Sequence, residues 1–282
     1  MALQIATLID GLAWPESPRW QDGYLWFSDV HNFRLMKVRP GEPAHVVADI
    51  PGRPAGLGFM PDGRLLIATA LDKKLWWVSA QGKLELAVDV SGQVNGLLND
   101  MVVDRNGRAW VGDTGFDLLK GEPEVPGTLL TWAEGSAVRV AATNLLFPNG
   151  IAIDGDRQTL YLAETFGQRI SAFRMQADGV LTDRRVQIEL EGRPDGLCMD
   201  AKGALWVPLL WQQEFQHIGN DGSITERIRF KRERAISCVL GGADRRTLFL
   251  GVAEIDESEK GKPRRYGAIK HCHVSVAGAG VP

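Results

Sequence analysis

One feature constrains this chain more than any other: a repeat that recurs six times. Each copy carries a short motif, then a turn, then an apolar run centred on an aromatic or leucine. The copies run from Pro15-Glu16-Ser17-Pro18 to Trp26, from Pro54-Ala55-Gly56-Leu57 to Leu66, and from Leu98-Asn99-Asp100-Met101 to Trp110. They continue from Pro148-Asn149-Gly150-Ile151 to Tyr161, from Pro194-Asp195-Gly196-Leu197 to Trp206, and, more weakly, from Ile236-Ser237-Cys238-Val239 to Phe249. The second residues of the motifs fall at positions 16, 55, 99, 149, 195 and 237, with intervals of 39, 44, 50, 46 and 42 and 45 residues after the last. About 40–50 residues is the length of one four-stranded propeller blade.

The local pattern agrees. Short apolar segments such as Tyr24–Phe27, Arg64–Ala68 and Leu205–Val207 follow Asp22-Gly23, Asp62-Gly63 and Lys202-Gly203, which read as hairpin turns with no helical interludes. The fold expected is all-β, a six-bladed β-propeller spanning residues 1–282 as one domain. A β-sandwich with coincidental spacing is the alternative, and it gives no reason for six copies in phase. A propeller must tie its first and last blades together, and Gln4–Ile9 and Ile269–Val276 are the expected edge partners.

Composition narrows the function. The chain has 282 residues and a formal charge of −3, with no basic cluster of the kind that tracks nucleic acid. No apolar run approaches the roughly 18 residues of a membrane span. The start has no basic region before an apolar stretch, and the three cysteines are odd in number and far apart in sequence. Both read as a cytoplasmic protein without a disulfide framework.

Equivalent positions in successive blades lie on one ring around the propeller axis. The ring residues are Glu16, Ala55, Asn99, Asn149, Asp195 and Ser237. Two carboxylates and two side-chain amides converge, with neither imidazole nor thiolate among them. Hard oxygen donors of this kind suit Ca²⁺, Mg²⁺ or Mn²⁺. Without a cation, two acids at an enclosed mouth repel, and one tends to stay protonated. Asn-Gly and Asp-Gly are also turn formers, so each pair alone could merely shape a loop. Their shared phase favours the ring.

With these residues in hand, the sequence resembles the senescence-marker-protein/gluconolactonase/regucalcin family. The matching motifs are Glu16-Ser17-Pro18-Arg19-Trp20, Leu98-Asn99-Asp100, Phe147-Pro148-Asn149-Gly150-Ile151-Ala152 and Arg193-Pro194-Asp195-Gly196-Leu197. The resemblance implies a six-bladed propeller with one divalent ion at its centre, Ca²⁺ in the first instance, with Mg²⁺, Mn²⁺ or Zn²⁺ as alternatives. It carries metal-binding roles onto Glu16, Asn149 and Asp195, a ligand or substrate-contact role onto Asn99, and a base or nucleophile role onto Asp195. The implied activity is metal-dependent opening of a small-molecule lactone. Phosphotriester hydrolysis, as in diisopropylfluorophosphatase, and calcium or ligand binding without turnover are the competing readings.

One departure stands out. Sugar-lactone members carry an arginine two residues before the asparagine matching Asn99, and here that residue is Leu97. Losing a planar multi-donor group predicts weaker binding of polyhydroxylated substrates. Phe116, Phe147, Leu209, Trp211 and Phe215 are candidates for an apolar rim, and Asp113, Thr114 and Asp117 for polar contacts. His31 and His217 could reach the mouth. In His271-Cys272-His273, strand alternation separates the cysteine from both histidines, which disfavours a zinc site. The basic run Lys260–Arg265 reads as a solvated loop.

Overall fold

The computed structural model describes residues 3–156, 158–254 and 266–280, and the run Lys260–Arg265 lies outside them. Among the described residues, the strands, numbered β1 to β24 in chain order, form six four-stranded antiparallel sheets. Five sheets are consecutive meanders. In the sixth, β1 (Ala6–Leu12) lies beside β24 (Gly267–His273), followed by β23 (Thr247–Ala253) and β22 (Arg234–Gly241), so the N-terminal strand closes the ring by pairing with β24. The expected pairing of the two ends is present, with the strands placed a few residues from the ranges read from sequence.

Neighbouring blades meet through their first strands. These are β2 (Pro15–Gln21), β6 (Pro54–Phe59), β10 (Leu98–Val103), β14 (Pro148–Asp154), β18 (Cys198–Met199) and β22 (Arg234–Gly241). The aromatics that mark the repeat supply the packing between sheets. Trp110, Tyr161, Trp206 and Phe249 are all buried, whereas Trp26 is half-buried and packs edge-on against Phe59. Turn chemistry is shared as well. Gly63, Gly107 and Gly203 each adopt positive φ and donate their N–H to the carbonyl three residues earlier.

The ring motifs are not turns. Each sits near the start of an inner strand, and in the three motifs that carry a glycine (Gly56, Gly150 and Gly196) it serves close approach between blades. A Cβ on Gly150 would lie 2.5 Å from the Asp195 carbonyl oxygen, and one on Gly56 would lie 2.0 Å from the Met101 nitrogen. The three cysteines are free and buried, and Cys198 and Cys238, on adjacent inner strands, bring their sulfurs to 3.6 Å. His271, Cys272 and His273 alternate along β24 as expected, with only the cysteine in the core.

Candidate active site

The inner strands share an irregularity that presents the ring residues to the channel. Pairing with the second strand of the blade skips between Glu16 and Arg19, between Pro54 and Leu57, between Leu98 and Met101, and between Pro148 and Ile151. The same gap separates the Pro194–Leu209 bridge from the first pair of β18. A bulge turns side chains out of the regular alternation. Here it falls at the ring position in blade after blade.

Glu16, Asn149 and Asp195 therefore converge, with Asn99 beside Asn149. Asn149 and Asp195 are buried, while Glu16 and Asn99 keep part of their surface open to the channel. Burial pushes Glu16 up to about 7, helped by the charge of Asp100 and opposed by the Trp14 hydrogen bond and Arg53. Trp14 Nε1 donates to Glu16 Oε1 at 2.5 Å. Burial raises Asp195 well above the usual carboxylate range, and the charges of Glu16 and Asp100 add to this. The Asn149 amide and the Gly196 N–H partly offset it. Two buried acids close to one another both resist ionisation.

The amides are held so that their oxygens are free. Asn149 Nδ2 donates to Thr165 Oγ1 at 3.0 Å, and that hydroxyl gives its own proton to the Pro194 carbonyl at 2.8 Å. Thr165 can thus only accept from Asn149, which fixes the amide orientation. Asn99 Nδ2 donates to the Pro148 carbonyl at 3.1 Å. Among the described residues neither Oδ1 accepts a protein hydrogen bond. No group of three His, Cys, Asp or Glu side chains forms among them either, so a cation here would rest on two carboxylates and two amide oxygens. That donor set fits a hard divalent ion.

Beneath the ring the channel is crossed by a polar bridge. Ser17 Oγ donates to Asp100 Oδ1 at 2.7 Å, and Arg19 Nη2 donates to the same oxygen at 3.0 Å and to the Met101 carbonyl at 2.6 Å. A cavity of about 760 Å³ lies beyond, lined by Arg19 and by the far ends of inner strands such as Met60, Asp104 and Leu240. It touches none of the ring residues and opens at the opposite end of the channel.

Several rim expectations need correction. Leu97 is 9% exposed and packs with Ala55, Leu98 and Met101. Leu209 and Phe215 are fully buried core residues. Asp113 accepts N–H bonds from Asn95, Gly96 and Gly115, and Thr114 is engaged with Leu97 and Phe116, so both are occupied in shaping their loop. Asp117 caps the short turn Leu118–Lys120 and pairs with Lys120 at 3.3 Å. Phe116 and Phe147 do meet, joined by Phe166 in one aromatic cluster with centroids 4.9–5.7 Å apart. Trp211 is exposed, under Arg234. His217 is held inside its blade by Asp200 and Thr225, and the His31 ring lies 5.8 Å from Trp14.

Sequence reasoning passed over Trp14, Thr165, Phe166 and the Arg19–Asp100 bridge, and also Arg53 and Arg193. The arginines left a signal: Arg53-Pro54-Ala55-Gly56-Leu57 repeats Arg193-Pro194-Asp195-Gly196-Leu197. Their backbone positions are equivalent. The carbonyls of Trp14, Arg53, Leu97, Phe147 and Arg193 each accept an N–H from the residue that follows the second strand of their own blade.

A six-bladed propeller with an acid pair and two oriented amides at one channel mouth defines a recognisable class. The chain belongs to the SMP-30/gluconolactonase/LRE-like family, whose model matches residues 14–254. It is 25% identical over 243 residues to a 6-deoxy-6-sulfogluconolactonase of Pseudomonas putida, covering 83% of this chain and 81% of that one. Among solved structures, a gluconolactonase from Xanthomonas campestris superposes with a TM-score of 0.80 at 26% identity, covering 97% of this chain and 90% of the other. A calcium-binding protein, regucalcin, from Agrobacterium tumefaciens shares the fold with a TM-score of 0.84 at 21% identity, covering 98% and 95%. Among the described residues no helix is long and apolar enough to cross a membrane.

Proposed function

We propose that this protein is a metal-dependent hydrolase that opens a lactone. The observation that carries the reading is the convergence of Glu16 and Asp195, both pushed toward the protonated form, with two amide oxygens left without protein partners. Family membership and the lactonase names of the relatives support it. Glu16, Asn149, Asp195 and Asn99 would hold the ion, and the all-oxygen donor set favours Ca²⁺. A bound divalent ion supplies Lewis-acid polarisation of the ester carbonyl.

The remaining work falls to side chains of this chain. Asp195, ionised once its repulsion with Glu16 is relieved, takes the proton of the attacking water as the new C–O bond forms. It returns that proton to the ring oxygen as the ester C–O bond breaks, so the carboxylate is regenerated. Trp14 fixes Glu16, and Thr165 fixes Asn149, so neither has to reorganise. The Arg19–Asp100 bridge closes the floor and keeps the pocket one-sided. Phe147 and Phe166, backed by the buried Phe116, supply an apolar wall for the lactone ring. Hydrolysis of a lactone panel by calcium-loaded protein tests the reading, since absence of turnover on every lactone would leave a binding protein instead.

A further inference from the structure

The arginine absent at Leu97 has two counterparts elsewhere. Arg53 and Arg193 occupy the same backbone position as Leu97, but in blades 2 and 5. In a six-bladed ring those blades are three apart, so the two positions lie on opposite sides of the channel mouth. Each is only partly buried.

Neither guanidinium is satisfied by the protein. Among the described residues Arg53 makes no side-chain hydrogen bond and no ion pair within 4.0 Å, and its buried Nε has no partner. It lies within electrostatic reach of Glu16 in blade 1 and of Asp117 in blade 3. Asp117 already has Lys120 as its partner. Arg193 also lacks a carboxylate and lies flat over the Phe166 ring, 4.4 Å from its centroid. A stacked guanidinium keeps its in-plane N–H groups free for another ligand.

None of the acids named so far is paired with either arginine. Asp100 is matched by Arg19, and Asp117 by Lys120. Asp113 is buried among N–H donors of its own loop. On the reading above, Glu16 and Asp195 are matched by a divalent ion. A hydroxyl needs only one of the five donors that a guanidinium presents, whereas a carboxylate takes two in parallel and cancels the charge.

We propose that Arg53, opposed by Arg193, recognises an anionic substituent on the substrate, so that the preferred lactone carries a second, acidic group beside the ester. This rests on the lactone-hydrolase reading for the identity of the ring, but not for the arginine site itself.

The test uses a matched pair, 5-oxotetrahydrofuran-2-carboxylate and its carboxamide, which share shape and differ in charge. Calcium-loaded wild-type protein should favour the carboxylate in kcat/KM by at least tenfold, about 1.4 kcal/mol. Arg53→Gln should bring that ratio close to one, Arg193→Gln should reduce it, and Arg53→Lys should retain part of it. The wild-type preference should shrink as salt is added. Calorimetric binding of tetrahydrofuran-2-carboxylate and its carboxamide, which have no ester to open, gives the same comparison without turnover. If neither lactone is opened but carboxylate binding still depends on Arg53, the hydrolase reading fails and the arginine site stands. No wild-type preference in either assay overturns the proposal. So does a preference that survives both glutamine variants, which would place the carboxylate on the ion.

Discussion

Removing divalent cations should leave a protein whose stability falls as pH rises, the reverse of ordinary acid denaturation. In the cation-free fold, burial holds Glu16 at about 7 against an ordinary 4.5. Between those values the folded protein keeps a proton that the unfolded chain releases. The stability that proton represents is complete below about 4.5 and lost as pH rises through about 7. The rise corresponds to about 3 kcal/mol for Glu16 alone, and Asp195, raised by the same burial and by Glu16, acts in the same direction. Carboxylates held low by their partners, such as Glu164 with Arg169 and Glu214 with Arg229, titrate below this window and do not mask it. At about 2 cal/mol/K of unfolding entropy per residue, 3 kcal/mol is about 5 °C in Tm for a chain of 282 residues. Scanning calorimetry in chelator at pH 5 and pH 7.5 measures it, with Glu16→Gln as the control that cannot ionise. Wild type should lose about 5 °C more than the variant across that interval, and calcium added at pH 7.5 should recover the loss. Parallel pH profiles for the two proteins would refute the electrostatic argument.

Other perturbations separate the roles around the ring. Asp195→Asn keeps an oxygen ligand but loses the proton acceptor, so turnover at saturating calcium should fall by about 10²-fold or more; near-normal turnover would reduce Asp195 to a ligand. Thr165→Val removes the acceptor that orients Asn149 and should weaken calcium binding by about tenfold in a calorimetric titration, as loss of an outer partner does elsewhere.

How much of this was legible in the sequence follows from the kind of information a repeat carries. A propeller converts register into position, so six motifs in phase are enough to place Glu16, Asn99, Asn149 and Asp195 on one ring. The same logic places Arg53 and Arg193 beside Leu97, yet a phase says nothing about what a long side chain does at its end. Leu97 illustrates the limit: its position was readable, but whether it faces the mouth or packs between blades depends on neighbours such as Leu98 and Met101. The Arg19–Asp100 bridge and the Thr165 hold on Asn149 link residues 81 and 16 positions apart and have no signature short of the fold. Asn149-Gly150 and Asp195-Gly196 show how a local signal can mislead, because there glycine is required by the neighbouring blade and not by a turn.

The central claim is that Glu16, Asn99, Asn149 and Asp195 form a divalent-ion site on which lactone hydrolysis depends. The direct measurement strips the protein with chelator, confirms removal by elemental analysis, and follows lactone hydrolysis as calcium is returned. The account predicts negligible turnover at the start and recovery that saturates near one ion per chain, shifted to higher calcium by Glu16→Gln. Full hydrolysis by the stripped protein, or activity indifferent to added divalent ions, would contradict it.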